Sequence, residues 1–422
     1  MELILQNAKL SKKPGLHQIG VEHGRIVAID SEIPATAAAR TLDLAGNCVV
    51  PYFIDSHFHL DSVLSLGTPR FNQTGTLFEG IEIWGELKAR ISRQEIVDRA
   101  TRYCQWAIAQ GIGAIRSHVD VSEKTLTTVE ALLEVREAMK EFLTIQLVAF
   151  PQDGYLRVPG QDQWLARALD MGVDVVGGIP HGERTMAEGA ESIRLLCEIA
   201  AARGLRVDMH CDESDDPHSR HIETLTYHTQ RLGLHGRVSG SHLTSMHSMD
   251  NYYVSKLLTL MAEARVHAIP NPLINITLQG RHDTYPKRRG ITRIPEMLEK
   301  GINVSLGHDC VMDPWYAMGR ADMLEVASMA WHLCQMTRPS QSEDVMEMIT
   351  TRSAETLGIE DYAIEVGNPA NFVVLQAKST HDLLRLKPSR LHVIRNGKFI
   401  AESTPQQSKV TLGGQVTEID FT

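Results

Sequence analysis

Cysteine is scarce in this 422-residue sequence, and the six present (Cys48, Cys104, Cys197, Cys211, Cys310 and Cys334) are scattered with no C-x-x-C pair. That excludes a zinc ribbon, a dithiol redox motif and a disulfide framework. No apolar run approaches the roughly eighteen residues of a membrane span. The opening MELILQNAKL has no basic stretch leading into a long apolar one. No secretory signal is read there, so a soluble cytoplasmic protein is expected. Positive charge is in deficit, 42 Lys and Arg against 52 Asp and Glu, for a net charge of −10. Such a chain offers no footprint for nucleic acid, and an anionic membrane surface would repel it. Aromatics are sparse at 5%, yet 43% hydrophobic and 22% charged residues are ordinary globular values that exclude disorder, collagen and coiled coil. Histidine runs the other way. Nineteen histidines against nine phenylalanines direct attention to metal or proton-transfer chemistry.

Through the middle of the chain, short Val- and Ile-rich runs alternate with stretches of helical period. Eight runs stand out: Cys48 to Asp55, Gly113 to Val119, Thr144 to Phe150, Val173 to Gly178, Leu205 to Met209, Arg237 to Ser241, Val266 to Pro270 and Asn303 to Gly307. Between them, IVDRATRYCQWAIAQG, TVEALLEVREAMKEF and AESIRLLCEIAAARG carry apolar residues three and four apart. Strands alternating with helices imply βαβ units and a parallel sheet, and eight over this span predict a (β/α)8 TIM-like barrel. An open doubly wound sheet is the alternative. It would ordinarily carry a Gly-rich phosphate turn after its first strand, and none is present. The two ends read as short strands with Gly turns. Residues 1–47 and 361–422 are therefore expected to pair into one small β-sandwich domain, leaving 48–360 as the catalytic barrel. Within the latter, Met318 to Gly358 reads as two helices.

In a barrel the chemistry lies at the carboxyl ends of the strands. After the first run comes Asp55-Ser56-His57-Phe58-His59, and histidines two apart on extended chain point the same way. Alone, H-x-H is equally an ordinary pair of loop histidines. But His210 follows the fifth run, His242 the sixth, and His308-Asp309 the eighth. His57, His59 and His210 with the Asp309 carboxylate make a ligand set for one divalent ion, Fe2+ or Zn2+, with room for a water. A cation held there would lower the pKa of its water to about 7. Asp309 could also accept the water's proton, His242 orient or polarise the attacking group, and Glu213 act as general acid/base. Asp212, Asp215 and Asp216 read as a solvated acidic loop.

This barrel with H-x-H, His, His and Asp at its strand ends resembles the amidohydrolase superfamily, and more narrowly the bacterial cytosine deaminase family. The matching stretches include FNQTGTLFEGIEIW, IRSHVDV, AFPQDG, DMHCDESDD, SHLTSM, NPLINITLQGRHDTYPKRRGITRI and GHDCVMDPWYAMG, with GNPANFVVL and VIRNGKFI near the C-terminus. Binuclear barrel hydrolases often bridge two cations with a carboxylated lysine on the fourth strand. No lysine lies between Lys140 and Lys256, so a single metal is expected. The resemblance implies hydrolytic deamination of an amino-pyrimidine, with Glu213 protonating the ring nitrogen beside the carbon that loses its amine. It also implies that Gln152 grips the amide edge of the ring, that Leu77 meets the ring through its backbone, and that Trp315 forms an aromatic wall. The family usually reads His-Asp-Asp where this chain has His308-Asp309-Cys310. Either Cys310 merely packs, or an uncharged side chain there admits a substituent on carbon 5, as in 5-methylcytosine. The same scaffold on isocytosine, creatinine, a triazine or another cyclic amide is the alternative activity. The expected partner is a free base rather than a nucleoside or nucleic acid, and the resemblance points to a homo-oligomer.

Overall fold

Seven parallel strands stand side by side in a computed structural model of the chain, which describes residues 1–34 and 38–422. They are β1 (Phe53–Phe58), β2 (Ile112–Asp120), β3 (Thr144–Phe150), β4 (Val175–Gly178), β5 (Arg206–Cys211), β6 (Val238–His242) and β7 (His267–Ile269), paired in chain order. Helices link them: Arg93–Ala109, Thr127–Met139, Gln161–Asp170, Met186–Arg203, His221–Arg231 and Asn251–Ala264. Residues 303–309 occupy the gap between β7 and β1. Ala268 N donates to Asn303 O and Ser305 N to Ala268 O on one side, while Ser56 N donates to Leu306 O and Asp309 N to His57 O on the other. The ring of strands is thus nearly closed, a TIM-like barrel. Strands β1 and β2 are buried along their whole length, as sheets covered on both faces are.

Three expectations need correction. The run Cys48 to Asp55 is two strands, because Cys48–Pro51 turns away to pair antiparallel with Phe372–Leu375, leaving Phe53–Phe58 to begin the barrel. A continuous apolar run carries no period that could mark this break. The stretch Asn303 to Gly307 is no regular strand: only Val304 forms a bridge, to Ala268. Its place in the ring is nonetheless the expected one. Met318 to Gly358 holds three helices rather than two, Met323–Leu333, Gln341–Glu347 and Thr351–Leu357.

Strands from both chain ends meet in one eight-stranded sheet, seven in a continuous hydrogen-bonded path and the eighth, Arg40–Asp43, branching from it. Its centre is Leu3–Leu10, where the register shifts between Leu5 and Ala8 around Asn7 at φ 54°. Leu3 to Gln6 pair with Arg40–Asp43, and Lys9 and Leu10 then pair with Cys48 and Val49. Leu5, Ile19, Ile26, Phe372 and Val374 form an apolar cluster separate from that of the barrel. No described helix is long and apolar enough to cross a membrane.

Candidate metal centre and pocket

The strand ends deliver the histidines. His57 is the fifth residue of β1 and His59 lies just beyond it, while His210 is inside β5, one residue past the expected end of that run at Met209. Asp309 is zipped against β1, its N donating to His57 O at 2.8 Å and its O accepting from His59 N at 3.1 Å. That pairing carries the carboxylate to within 3.5 Å of His57 Nε2 and 3.4 Å of His59 Nε2. The Nε2 atoms of His59 and His210 lie 3.0 Å apart. One ligand atom from each of His57, His59, His210 and Asp309 lies within 4.8 Å of all the others. Donors about 2.0–2.2 Å from a common zinc-like ion would be spaced in this way.

Two features test whether a cation fits. His57 Nε2 is buried with no hydrogen-bond partner, although it faces the others. Two imidazole nitrogens at 3.0 Å also need something electropositive between them, and burial holds both rings neutral: it pushes His59 down to about 4 and His210 well below the usual imidazole value. Burial opposes ionisation of Asp309, but the imidazoles of His57, His242 and His59 prevail and hold its carboxyl well below the usual range. Neutral imidazoles around a carboxylate form a divalent-metal site. A second grouping, His57, His118 and Asp208, lies deeper. There the Arg116 guanidinium sits 2.9 Å from Asp208, supplying the positive charge itself.

His242 stands beside the cage at φ 69°, and Asp309 has φ 72°. Both occupy the left-handed region that residues with a side chain adopt infrequently. Asn275 Nδ2 and Asn271 Nδ2 approach His242 Nδ1 at 3.1 and 3.3 Å, while Nε2 lies 3.9 Å from Asp309 Oδ2. Glu213 Oε1 is 3.4 Å from His242 Nδ1. Burial, and then the Asp309 charge, push the Glu213 carboxyl well above its usual value.

One pocket brings together His59, His210, Glu213, His242 and Asp309 with Gln152, Leu77, Cys310 and Trp315. Of the expected ligands, catalytic groups and substrate contacts, His57 alone does not line it. The Leu77 carbonyl accepts from Trp315 Nε1 at 3.2 Å. Cys310 Sγ is 3.6 Å from Asp309 Oδ1. Ile179, Ile274 and Leu278 complete the pocket. These three, with Asn271 and Asn275, escaped sequence reading, although two asparagines four apart in the otherwise apolar NPLINITL are a signal. Asp212 is not part of a solvated loop as expected: it is buried and accepts from Ser219 Oγ, His221 N and Ile222 N, which fixes the turn behind Glu213.

A nearly closed barrel with this cage and acid at its rim defines a hydrolase acting on C–N bonds of cyclic amidines. The chain belongs to the amidohydrolase family, which it matches over residues 40–417. It superposes with TM-score 0.93 on a crystal structure of 5-methylcytosine deaminase from Klebsiella pneumoniae liganded with 5-fluorocytosine, at 36% identity over 96% of this chain and 98% of that one. It is 29% identical to N-isopropylammelide isopropyl amidohydrolase of Pseudomonas sp. (strain ADP), over 95% of this chain and 97% of that protein. Pterin deaminase of Rhizobium rhizogenes is also 29% identical, over 88% and 86% of the two chains.

Proposed function

We propose that the protein is a hydrolytic deaminase of a free amino-pyrimidine base, 5-methylcytosine or cytosine, releasing ammonia and the corresponding thymine or uracil. The observation that carries this reading is that Glu213 and Gln152 open onto the same pocket as His59, His210 and Asp309. His57, His59, His210 and Asp309 would hold one divalent ion, iron or zinc, which when bound would lower the pKa of a water to near neutrality.

The protein's own groups do the rest. Gln152 offers both an acceptor and a donor to the amide edge of the ring. Asp309 Oδ2 takes a proton from the attacking water. His242, held by Asn271 and Asn275, orients that water. Glu213, whose protonated form burial favours, gives its proton to the ring nitrogen next to the carbon bearing the amine. The water oxygen forms the new C–O bond, the exocyclic C–N bond breaks with its electron pair on nitrogen, the amine takes the proton held by Asp309 and leaves as ammonia, and the remaining proton on that oxygen returns to Glu213.

Cys310 supports the 5-substituted substrate. The thiol is buried and uncharged, burial pushing its pKa well above the usual value, so a methyl group beside it costs no desolvation of a carboxylate. Ammonia release from a panel of cytosine, 5-methylcytosine, isocytosine and creatinine tests the proposal. A hundredfold kcat/KM preference for cytosine over 5-methylcytosine would refute the role of Cys310. Hydrolysis of an N-substituted triazine is the second reading, favoured by the 29% identity to the ammelide hydrolase, and N-isopropylammelide belongs in the same panel.

A further inference from the structure

Lys88 ends the helix Leu77–Lys88, with its side chain only 8% exposed. Its ammonium donates to carboxylates from two other parts of the barrel. One is Asp120 Oδ2 at 2.9 Å, on the last residue of β2, and the other is Asp153 Oδ2 at 2.6 Å, in the turn that follows β3. Asp120 is itself fixed, accepting from Trp84 Nε1 at 2.8 Å and Ser122 N at 2.8 Å. Ser122 Oγ in turn accepts from Asp153 N at 3.0 Å. Gly154 N donates to Pro151 O at 2.9 Å, closing the turn that presents Gln152.

The other end of the helix is fixed as well. Thr76 caps it, and Trp315 Nε1 donates to Leu77 O at 3.2 Å. Ile83, Trp84 and Leu87 already bury the apolar face of the helix, so packing does not call for a lysine. A buried ammonium is costly unless paired, and this one is paired twice, to the end of β2 and to the turn that carries Gln152. Neither Lys88, Asp120 nor Asp153 lines that pocket.

We infer that Lys88 is a positioning residue: by gripping Asp120 and Asp153 together it ties the helix carrying Leu77 to the turn carrying Gln152, and so sets where the Gln152 amide meets the substrate. The inference rests on the reading of Gln152 as a substrate contact. Gln152 holds the base in ground and transition states alike, so a displaced turn raises KM and leaves kcat.

The test is a double-mutant cycle in the full-length, metal-loaded protein, using cytosine and 5-methylcytosine. Asp153→Asn raises KM about tenfold with kcat changed by less than about twofold, the scale of a small misplacement. Gln152→Ala raises KM at least as much, and adding Asp153→Asn to it changes nothing further. Lys88→Met gives the same KM rise; if that variant does not fold, Asp153→Asn carries the test, since its carboxylate is 37% exposed. Metal content stays at the wild-type level throughout. Additive effects, a fall in kcat alone, or loss of metal from Asp153→Asn overturns the inference. So does a wild-type KM in Asp153→Asn while Gln152→Ala is impaired, which leaves the substrate reading standing. A wild-type KM in Gln152→Ala overturns both.

Discussion

Ser241 Oγ lies 3.0 Å from His57 Nδ1 and spends its only proton on Asp208 Oδ1, 2.7 Å away. The hydroxyl can therefore only accept from His57, which places the imidazole proton on Nδ1 and leaves the Nε2 lone pair facing the cage. Asp208 is held in turn by Arg116 at 2.9 Å, with both side chains fully buried. Groups that orient a metal ligand in this way are worth tenfold to a hundredfold in affinity. Ser241→Ala is accordingly expected to weaken divalent-metal binding by about that factor, read by competition with a chelator. Unchanged affinity would show that His57 needs no such support.

Glu213 and His210 separate chemistry from metal retention. Glu213 faces His242 and lies outside the ligand cluster, so Glu213→Gln is expected to keep its metal while turnover falls by about 10²–10⁴-fold, the usual worth of a general acid. His210→Asn removes an imidazole whose Nε2 is 3.0 Å from that of His59, and is expected to lose the metal. Metal analysis beside an ammonia assay distinguishes the two. Retention of full activity by Glu213→Gln would remove it from the mechanism.

Selectivity at carbon 5 turns on Cys310. Its neighbour Asp313, buried and accepting from Trp315 N and Tyr316 N, is pushed up to about 7 by burial. A carboxylate at position 310 would be a third acid beside Asp309 and Asp313, and would need solvation that a methylated base denies it. Cys310→Asp is expected to shift the kcat/KM ratio of 5-methylcytosine to cytosine downward by about tenfold or more, on the scale of a methyl group in a fitted pocket. Parallel kinetics on the two bases measure it, and an unaltered ratio would leave Cys310 as packing only.

The ligands were legible because each sits where an apolar run stops, and strand ends are readable from hydrophobicity alone. β3 was read to the residue, ending at the Pro151-Gln152-Asp153-Gly154 turn. What could not be read depends on register or on distant partners. Ser241 serves His57 because β5 and β6 pair His210 with Ser241 and Asp208 with Ser239, an alignment that no local pattern encodes. The carboxylates that hold Lys88 lie 32 and 65 residues further on, beyond the reach of any local pattern. The Cys48 run concealed its break because both halves are buried, one in each sheet.

The last prediction concerns acid stability and uses a histidine remote from the cage. His267 opens β7, is buried, and hydrogen-bonds Asn303 Nδ2 at 2.9 Å and Gly236 O at 3.1 Å. Burial lowers its pKa from 6.5 to about 4, against an opposing pull from the Gly236 carbonyl and with help from Arg116 and Arg206. In the unfolded chain it binds a proton near pH 6.5, whereas the folded chain refuses one until about 4. Between those values the unfolded state holds more protons, so this group's contribution is complete above about pH 6.5 and is lost as the pH falls to 4. At 1.36 kcal/mol per pH unit the loss is about 3 kcal/mol. His267→Gln removes the titration and keeps an amide for hydrogen bonding. It is expected to be less stable than wild type at pH 7.5 but to lose less stability on going to pH 5. Urea unfolding at both pH values measures the difference, and the cage histidines, common to both proteins, cancel from the comparison. Equal losses in the two proteins would mean that His267 is already protonated in the folded state at pH 5.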